Sequence, residues 1–445
     1  MTTLAKTYLH FGFGPEARAV LGLLPERDQK TDVLLVLADV LDDRRVAPDG
    51  LFTGQSGCPS GLALWSALAQ PDQVEETDAD AVLQSFSHLP RHLRQQLGPR
   101  LSRQFNGLGQ HDLASGILRA VDRSTDTIGP SHDLAAAEIE TATGHTEAAV
   151  EKMEKVVATD SEFSPEALIK LIDAHEAKRR PLRPDMPELA GAYAAEHRLG
   201  ELGTDLLRVH AVSLAMVGRF DEAFQALAGI SDPGTEVARD SGTNSVLDLL
   251  TDNADDVTFL TFVLPRAKSG GTAVSAPLDI RIAERLLALG FAEQAYAILD
   301  HAKSRPLSEK DRLLRAEIAL ANGLPHRAMI EVLNLTSREA SEIRARAMRA
   351  NGDFETAGQV LLEAERPEIA ARNLWLGDAW DRLPTTEDPR YTRLAELSAQ
   401  LAKQIETDDA SPPLADARTL LDDSLSTRSG IDEILGVLQV PGRLE

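Results

Sequence analysis

Apolar residues along this chain recur at helical spacing, and one short pattern returns over almost its whole length. It is a small residue, an apolar residue three places on, and Gly four places later. Ala follows after five more residues, and a second apolar residue after another four. The first copy reads Ala5, Tyr8, Gly12, Ala17 and Leu21. Later copies read Ala137, Gly144, Ala149 and Met153, then Ala211, Leu214, Gly218, Ala223 and Leu227. Three more follow: Ala283, Leu286, Gly290, Ala295 and Leu299; Ala316, Ala319, Gly323, Ala328 and Val332; Ala345, Met348, Gly352, Ala357 and Leu361. Phe105, Gly109, Ala114 and Leu118 form a looser copy. Such a period fixes the architecture before any single residue is interpreted, and arrays of this kind mostly bind proteins.

The spacing predicts a pair of helices per copy. The leading small residue and the next apolar residue share one face of a first helix. Gly ends that helix, because it accepts the left-handed conformation that helix C-termini commonly need. A second helix begins at once, as in Arg219-Phe220-Asp221-Glu222-Ala223 and Asp353-Phe354-Glu355-Thr356-Ala357. Asp221 and Asp353 are expected as N-caps, with the following Glu near the positive end of the helix dipole. The small Ala lets two backbones approach, and the apolar residue four later fills the seam.

These positions resemble the tetratricopeptide-repeat family, whose unit is an antiparallel helix pair with a period near 34 residues. Gly109 to Gly144 is 35 residues and Gly290 to Gly323 is 33. Gly144 to Gly218 is 74 and Gly218 to Gly290 is 72, each about two periods, and Gly323 to Gly352 is a shortened 29. The family's Trp and closing Pro are mostly absent. The resemblance covers roughly residues 1–400. It implies an all-α fold, a right-handed α-solenoid of antiparallel helix pairs without significant β-sheet. It also implies that first helices line the concave face.

Residues 1–267 are expected to hold the less regular repeats, with a loop insertion at 44–61 that contains Pro48, Gly50, Gly54, Gly57, Cys58, Pro59 and Gly61. The stretch from Lys268 to Pro277 is the expected connection. Residues 278–405 read as regular repeats closed by a capping helix, and 406–445 as a linker and an amphipathic tail helix. In that tail Ile431, Ile434, Leu435 and Leu438 lie at i, i+3, i+4 and i+7. It either caps the last repeat, the favoured expectation, or occupies the groove of the array or another protein. Leu4 has the character of an interior residue, so a segment before Met1, carrying an export signal or anchor, is an expectation. At face value the chain reads as cytoplasmic, and with such a segment as periplasmic.

The chain has 445 residues and a formal net charge of −24. That charge argues against nucleic acid and against an anionic membrane surface. It fits solvated acidic faces, or an acidic groove for a basic segment. No window is long and apolar enough to span a bilayer. Cys58 is the only cysteine, so neither an internal disulfide nor a thiolate metal cluster exists. The glycines around it lack the Lys-Ser/Thr ending of a phosphate loop. His88 and His92 have the spacing of helical metal ligands, but Pro90 lies between them. The clusters Asp42-Asp43, Asp252 to Asp256 and Asp422-Asp423 lack the calcium-loop pattern and read as N-caps and solvated loops. Trp375 and Trp380 read as a core sealing the end of the array, or as an anchor pocket.

The reading that follows is a non-enzymatic scaffold that binds a protein or peptide on its first-helix face, without cofactor or metal. Candidate contact residues are first-helix positions outside the repeat signature: Arg208 and Ser213, Arg281 and Glu284, Leu314 and Glu317, Ile343 and Arg346, with the core as the alternative for the apolar Leu314 and Ile343. One alternative is a component of a larger envelope assembly. Another is an enzyme built around Cys58.

Overall fold

The structure, a computed structural model, describes all residues except 26, 45, 47–49, 53, 71–76, 124–127, 231–233, 270–273, 302–307, 384–392, 400–416 and 439–445. The described residues form helices and turns, with no strand among them. Two compact units divide inside one helix, at Val246 and Leu247.

The first unit begins with Thr2–His10 (α1), Gly14–Gly22 (α2), Gln29–Leu41 (α3), Leu62–Ala69 (α4) and Ala79–Ser87 (α5). It continues with Arg91–Gly107 (α6), His111–Asp122 (α7), Pro130–Ala142 (α8), Thr146–Ala158 (α9) and Ser164–Ala177 (α10). Met186–Glu196 (α11), Gly203–Met216 (α12) and Phe220–Ala228 (α13) lead to Glu236–Asn253 (α14), which holds the division. The second unit contains Asp256–Ser269 (α15), Ala276–Ala288 (α16), Ala292–His301 (α17), Glu309–Ala321 (α18) and Pro325–Glu331 (α19). Arg338–Ala350 (α20), Phe354–Glu363 (α21), Pro367–Leu376 (α22) and Ala417–Leu438 (α23) complete it. The principal helix–helix packing joins elements one or two places apart in the chain. This is the nearest-neighbour pattern of stacked helix pairs.

The turn is the same object in every pair that carries the repeat glycine. Gly12, Gly109, Gly144, Gly218, Gly290, Gly323 and Gly352 have φ between +70° and +86°. The N–H of the next residue reaches back five residues to a carbonyl of the first helix, as from Arg219 to Leu214 (2.9 Å) and from Asp353 to Met348 (3.0 Å). That bond satisfies a carbonyl the helix end would otherwise leave open. The same turn also forms without glycine. Asp43, Arg179, Glu365 and Asp378 take φ of +51° to +58°, and each is followed by the same five-residue return bond. Arg179 falls between Gly144 and Gly218 and divides their double interval into two ordinary ones.

Asp353 caps α21 by accepting from the Thr356 N–H, as the sequence suggests. Asp221 does not play that part. The helix α13 starts at Phe220 with Arg219 at the cap, because the residue after the turn Gly holds the capping position, and Asp221 lies in the first turn.

The signature alanines sit where helices close on one another: Ala5, Ala17, Ala149, Ala211, Ala223, Ala283, Ala295, Ala316, Ala328 and Ala357 are fully buried, and Ala345 nearly so. Their partners Leu21, Met153, Leu227, Leu299, Val332 and Leu361 are buried too. Around the insertion, α6 does the closing. Gln96 donates to Leu41 O (3.1 Å), Arg100 to Val40 O (2.9 Å) and Leu68 O (3.1 Å), and Gln104 to Ala67 O (2.7 Å). These side chains cap the C-terminal carbonyls of α3 and α4. Arginines repeat this in the second unit: Arg285 donates to Thr251 O (2.7 Å) and Ala254 O (2.6 Å), Arg315 to Leu299 O (2.6 Å). No described helix is long and apolar enough to cross a membrane.

Substituting the turn residues tests this account. A Cβ at Gly218 meets nothing within 4 Å, so the cost of Gly218→Ala is conformational. We expect it to destabilise by about 1 kcal/mol. Glu365→Gly, at an exposed position already left-handed, is expected to stabilise by about 0.5 kcal/mol, the strain relieved exceeding the added freedom of the unfolded chain. Urea midpoints of the two variants check both signs.

Candidate functional site

Within each unit charged pairs tie successive first helices together. In the first unit Arg103 of α6 donates to Glu138 of α8 (3.0 Å) and to Glu166 of α10, and Lys170 lies 3.0 Å from Glu138. Arg208 of α12 grips Asp173 of α10 with two bonds of 2.8 and 2.9 Å. In the second unit Arg281 of α16 bridges Asp248 and Asp252 of α14. Lys310 of α18 pairs with Glu284 of α16 (2.8 Å), and Arg346 of α20 with both oxygens of Glu317 on α18 (2.6 and 2.7 Å). Arg366, just before α22, reaches Glu342 of α20 (2.6 Å).

Five of the eight candidate residues belong to this ladder: Arg208, Arg281, Glu284, Glu317 and Arg346. The other three do not face solvent. Ser213 is fully buried and its hydroxyl donates to His210 O (2.7 Å). Leu314 and Ile343 are core residues. Helix rotation explains the difference. At these positions the first helix faces the second helix of its own or the adjoining pair, and one sequence cannot reveal how wide the buried arc is.

The ladder ends at an opening. The helices α16, α18 and α20 pack in succession, and α21 packs against both α20 and α22, with Ala345 of α20 and Ala370 of α22 buried in one cluster. Between them lies a cleft of about 210 Å³. From α20 it is lined by Glu342, Ala345, Arg346 and Arg349, which stand at i, i+3, i+4 and i+7 on one helix face. Leu361 of α21 contributes from below, and Ile369 and Asn373 of α22 form the other wall. Arg372 and Leu376 share the α22 face with Ile369 and Asn373, at i+3 and i+7, and all but Asn373 are exposed. Arg349 is exposed and has no ion-pair partner among the described residues. Asn373 is 3% exposed; its amide N–H donates to Ile369 O (2.8 Å), and its Oδ1 is buried without a hydrogen-bond partner among the described residues. The helix α22 lies inside the stretch expected to hold regular repeats, but its flanking left-handed residues Glu365 and Asp378 were not among the expected turns, which were all glycines.

The other sequence candidates are held locally. The Cys58 thiol donates to Gln55 Oε1 (3.1 Å), a neutral amide that cannot serve as a base. His88 Nδ1 contacts Gln84 O (2.6 Å) and His92 Nε2 contacts His10 O (2.5 Å). No cluster of three metal-ligating side chains occurs among the described residues. Asp252 and Asp256 pair with Arg281 and Arg285, and Asp255 caps α15 through Thr258 and Val257. Trp375 donates to Ser398 Oγ (2.9 Å), which joins α22 to the helical stretch 393–399, and Trp380 donates to Trp375 O (3.2 Å).

Comparison with protein-family models, with curated proteins and with solved structures returned no match.

One carboxyl beside the ladder has a raised pKa. Burial holds the Glu176 carboxyl of α10 above its ordinary value, against the lowering influence of its Ser245 hydrogen bond; Asp173 adds to the rise and Arg208 opposes it. A raised folded value means that the ionised form is penalised in the fold. The penalty is present above the folded value and vanishes below the ordinary one, 4.5. Glu176→Gln is therefore expected to be more stable than the native chain at pH 7. Its advantage should shrink as the pH falls through the carboxylate range, measured by urea unfolding at both ends.

Proposed function

We propose that this chain is a non-catalytic scaffold of tetratricopeptide-like helix pairs that holds a protein segment on its first-helix face, anchored in the α20–α22 cleft. The observation that carries this reading is the cleft itself. It combines exposed cations, Arg346 and Arg349, with the apolar Leu361 and Ile369 and a buried amide acceptor. Its volume is below the roughly 300–1,000 Å³ usual for small-molecule sites and suits one or two side chains of a bound segment. The lining offers no nucleophile and no pair of carboxylates for acid–base chemistry. A preformed face on packed helices binds with little ordering cost of its own. A second reading, membership in a larger assembly, is favoured by the exposure of Leu4, Phe11, Phe13 and Leu23 in and beside the first helix pair.

Charge reversal at the exposed cations tests the first reading. With the full chain as bait in extract from its native host, we expect a discrete protein to be retained at moderate salt. Arg346→Glu with Arg349→Glu should cut its recovery at least about tenfold, the range of one lost buried charge contact. Recovery that is unchanged by the double variant, or no retained protein, overturns the proposal.

A further inference from the structure

Two stretches of this chain, residues 1–15 and residues 81–111, contain no Asp or Glu, in a sequence with 70 acidic residues against 46 Lys and Arg. The fold brings them together in the first unit. The rings of His10, at the end of α1, and His92, in the first turn of α6, stand 5.6 Å apart, and His92 Nε2 contacts His10 O (2.5 Å). Phe11 stacks on His92 with 6.0 Å between ring centroids. Gly12 lies against Leu93 and Gln96 of α6. The end of α5 adjoins them, since Arg94 of α6 donates to Ser87 O (3.2 Å).

The edge so formed is cationic. Lys6 and His10 share a face of α1 at i and i+4, and Arg91 and Arg94 share one of α6 at i and i+3. Lys6 and Arg91 are exposed. Lys6, Arg91 and Arg94 have no ion-pair partner among the described residues, and Arg94 Nε is buried without a hydrogen-bond partner among them. The arginines further along α6 are matched: Arg100 lies 2.9 Å from Asp43, and Arg103 3.0 Å from Glu138. Asp42, which packs against Gly14, is matched by Arg44 (2.6 Å). Beside the unmatched cations, Phe11 and Phe13 are 55% and 52% exposed. Unpaired charge next to uncovered aromatic surface is the composition of an interface without its partner.

The charge of the whole molecule selects that partner. A nucleic-acid duplex or an anionic bilayer extends beyond this edge over a chain of net charge −24, where its phosphates meet carboxylates. A short acidic protein segment ends within the edge, and its apolar residues can cover the phenylalanines.

We infer that the α1–α6 edge is a docking surface for an acidic protein segment that also carries apolar side chains. Its carboxylates pair with Lys6, Arg91 and Arg94, and its apolar residues lie on Phe11 and Phe13. The inference does not depend on the α20–α22 cleft, which belongs to the other unit.

Fluorescence anisotropy of a fluorescein-labelled Glu/Leu peptide with the full chain tests it. Binding is expected, and should weaken as salt rises. Affinity should fall at least about tenfold in Lys6→Glu/Arg91→Glu, where both side chains are exposed and unpaired. It should fall at least about threefold in Phe11→Ala. Urea midpoints equal to that of the native chain show that the variants are folded. Arg346→Glu/Arg349→Glu should bind the peptide as the native chain does. No binding, or binding indifferent to either edge variant, overturns the inference. Loss of binding in Arg346→Glu/Arg349→Glu places the peptide in the cleft and overturns it as well. So does tighter binding of labelled oligodeoxythymidylate or of phosphatidylserine vesicles, which assigns the edge to nucleic acid or to a membrane.

Discussion

The left-handed residue that ends the first helix of each signature pair is the constraint on which much of this molecule depends. In these pairs the chain reverses through one residue of positive φ, a value that L-residues other than glycine resist. Once that turn is made, the next N–H closes onto a carbonyl five residues earlier, and the second helix starts in a fixed direction. The two helices then meet at alanines, which leave no side chain to hold them apart. Burial of Ala211, Ala223, Ala283 and Ala295 follows from the turns at Gly218 and Gly290 as much as from their own small size.

Polar chemistry is subordinate to that geometry but is arranged by it. Stacked pairs leave helix C-termini near the next first helix, and arginines such as Arg100, Arg285 and Arg315 reach back to those carbonyls. Within each unit, pairs such as Arg208–Asp173 and Arg346–Glu317 join successive first helices. The exposed pairs among these, such as Arg346–Glu317, contribute roughly 0–1 kcal/mol each. What they do is match positive to negative at one register and neutralise arginines in an acidic protein. At the cleft between α20 and α22 that matching is incomplete: Arg349 has no ion-pair partner and Asn373 Oδ1 no hydrogen-bond partner among the described residues.

Much of this was legible in the chain and part was not. The helix-pair repeat could be read because glycine at φ near +80° is a position with almost one permitted residue. Turns built on Asp43, Arg179, Glu365 and Asp378 were invisible, since aspartate, arginine and glutamate occur everywhere on a helical surface. The helix α22 lay within the expected repeats, but its pairing with α20 across the cleft could not be read from these turns. Ser213, Leu314 and Ile343 were expected at the surface because each lies outside the repeat signature, yet the buried arc of their helices is wider than the signature marks.

The sequence by itself therefore determined the helical class, the pairing of helices at its glycine turns and the small residues at their seams. Each of these is set by local conformational energy and by spacing within one or two turns. Tertiary structure alone decided which charges meet between helix pairs, which first-helix residues are covered and where the cleft between α20 and α22 lies. Those depend on distances between residues some 25 to 35 positions apart, such as Arg366 and Glu342 or Arg208 and Asp173. Such distances are fixed by how the helix pairs pack, not by the residues that separate them.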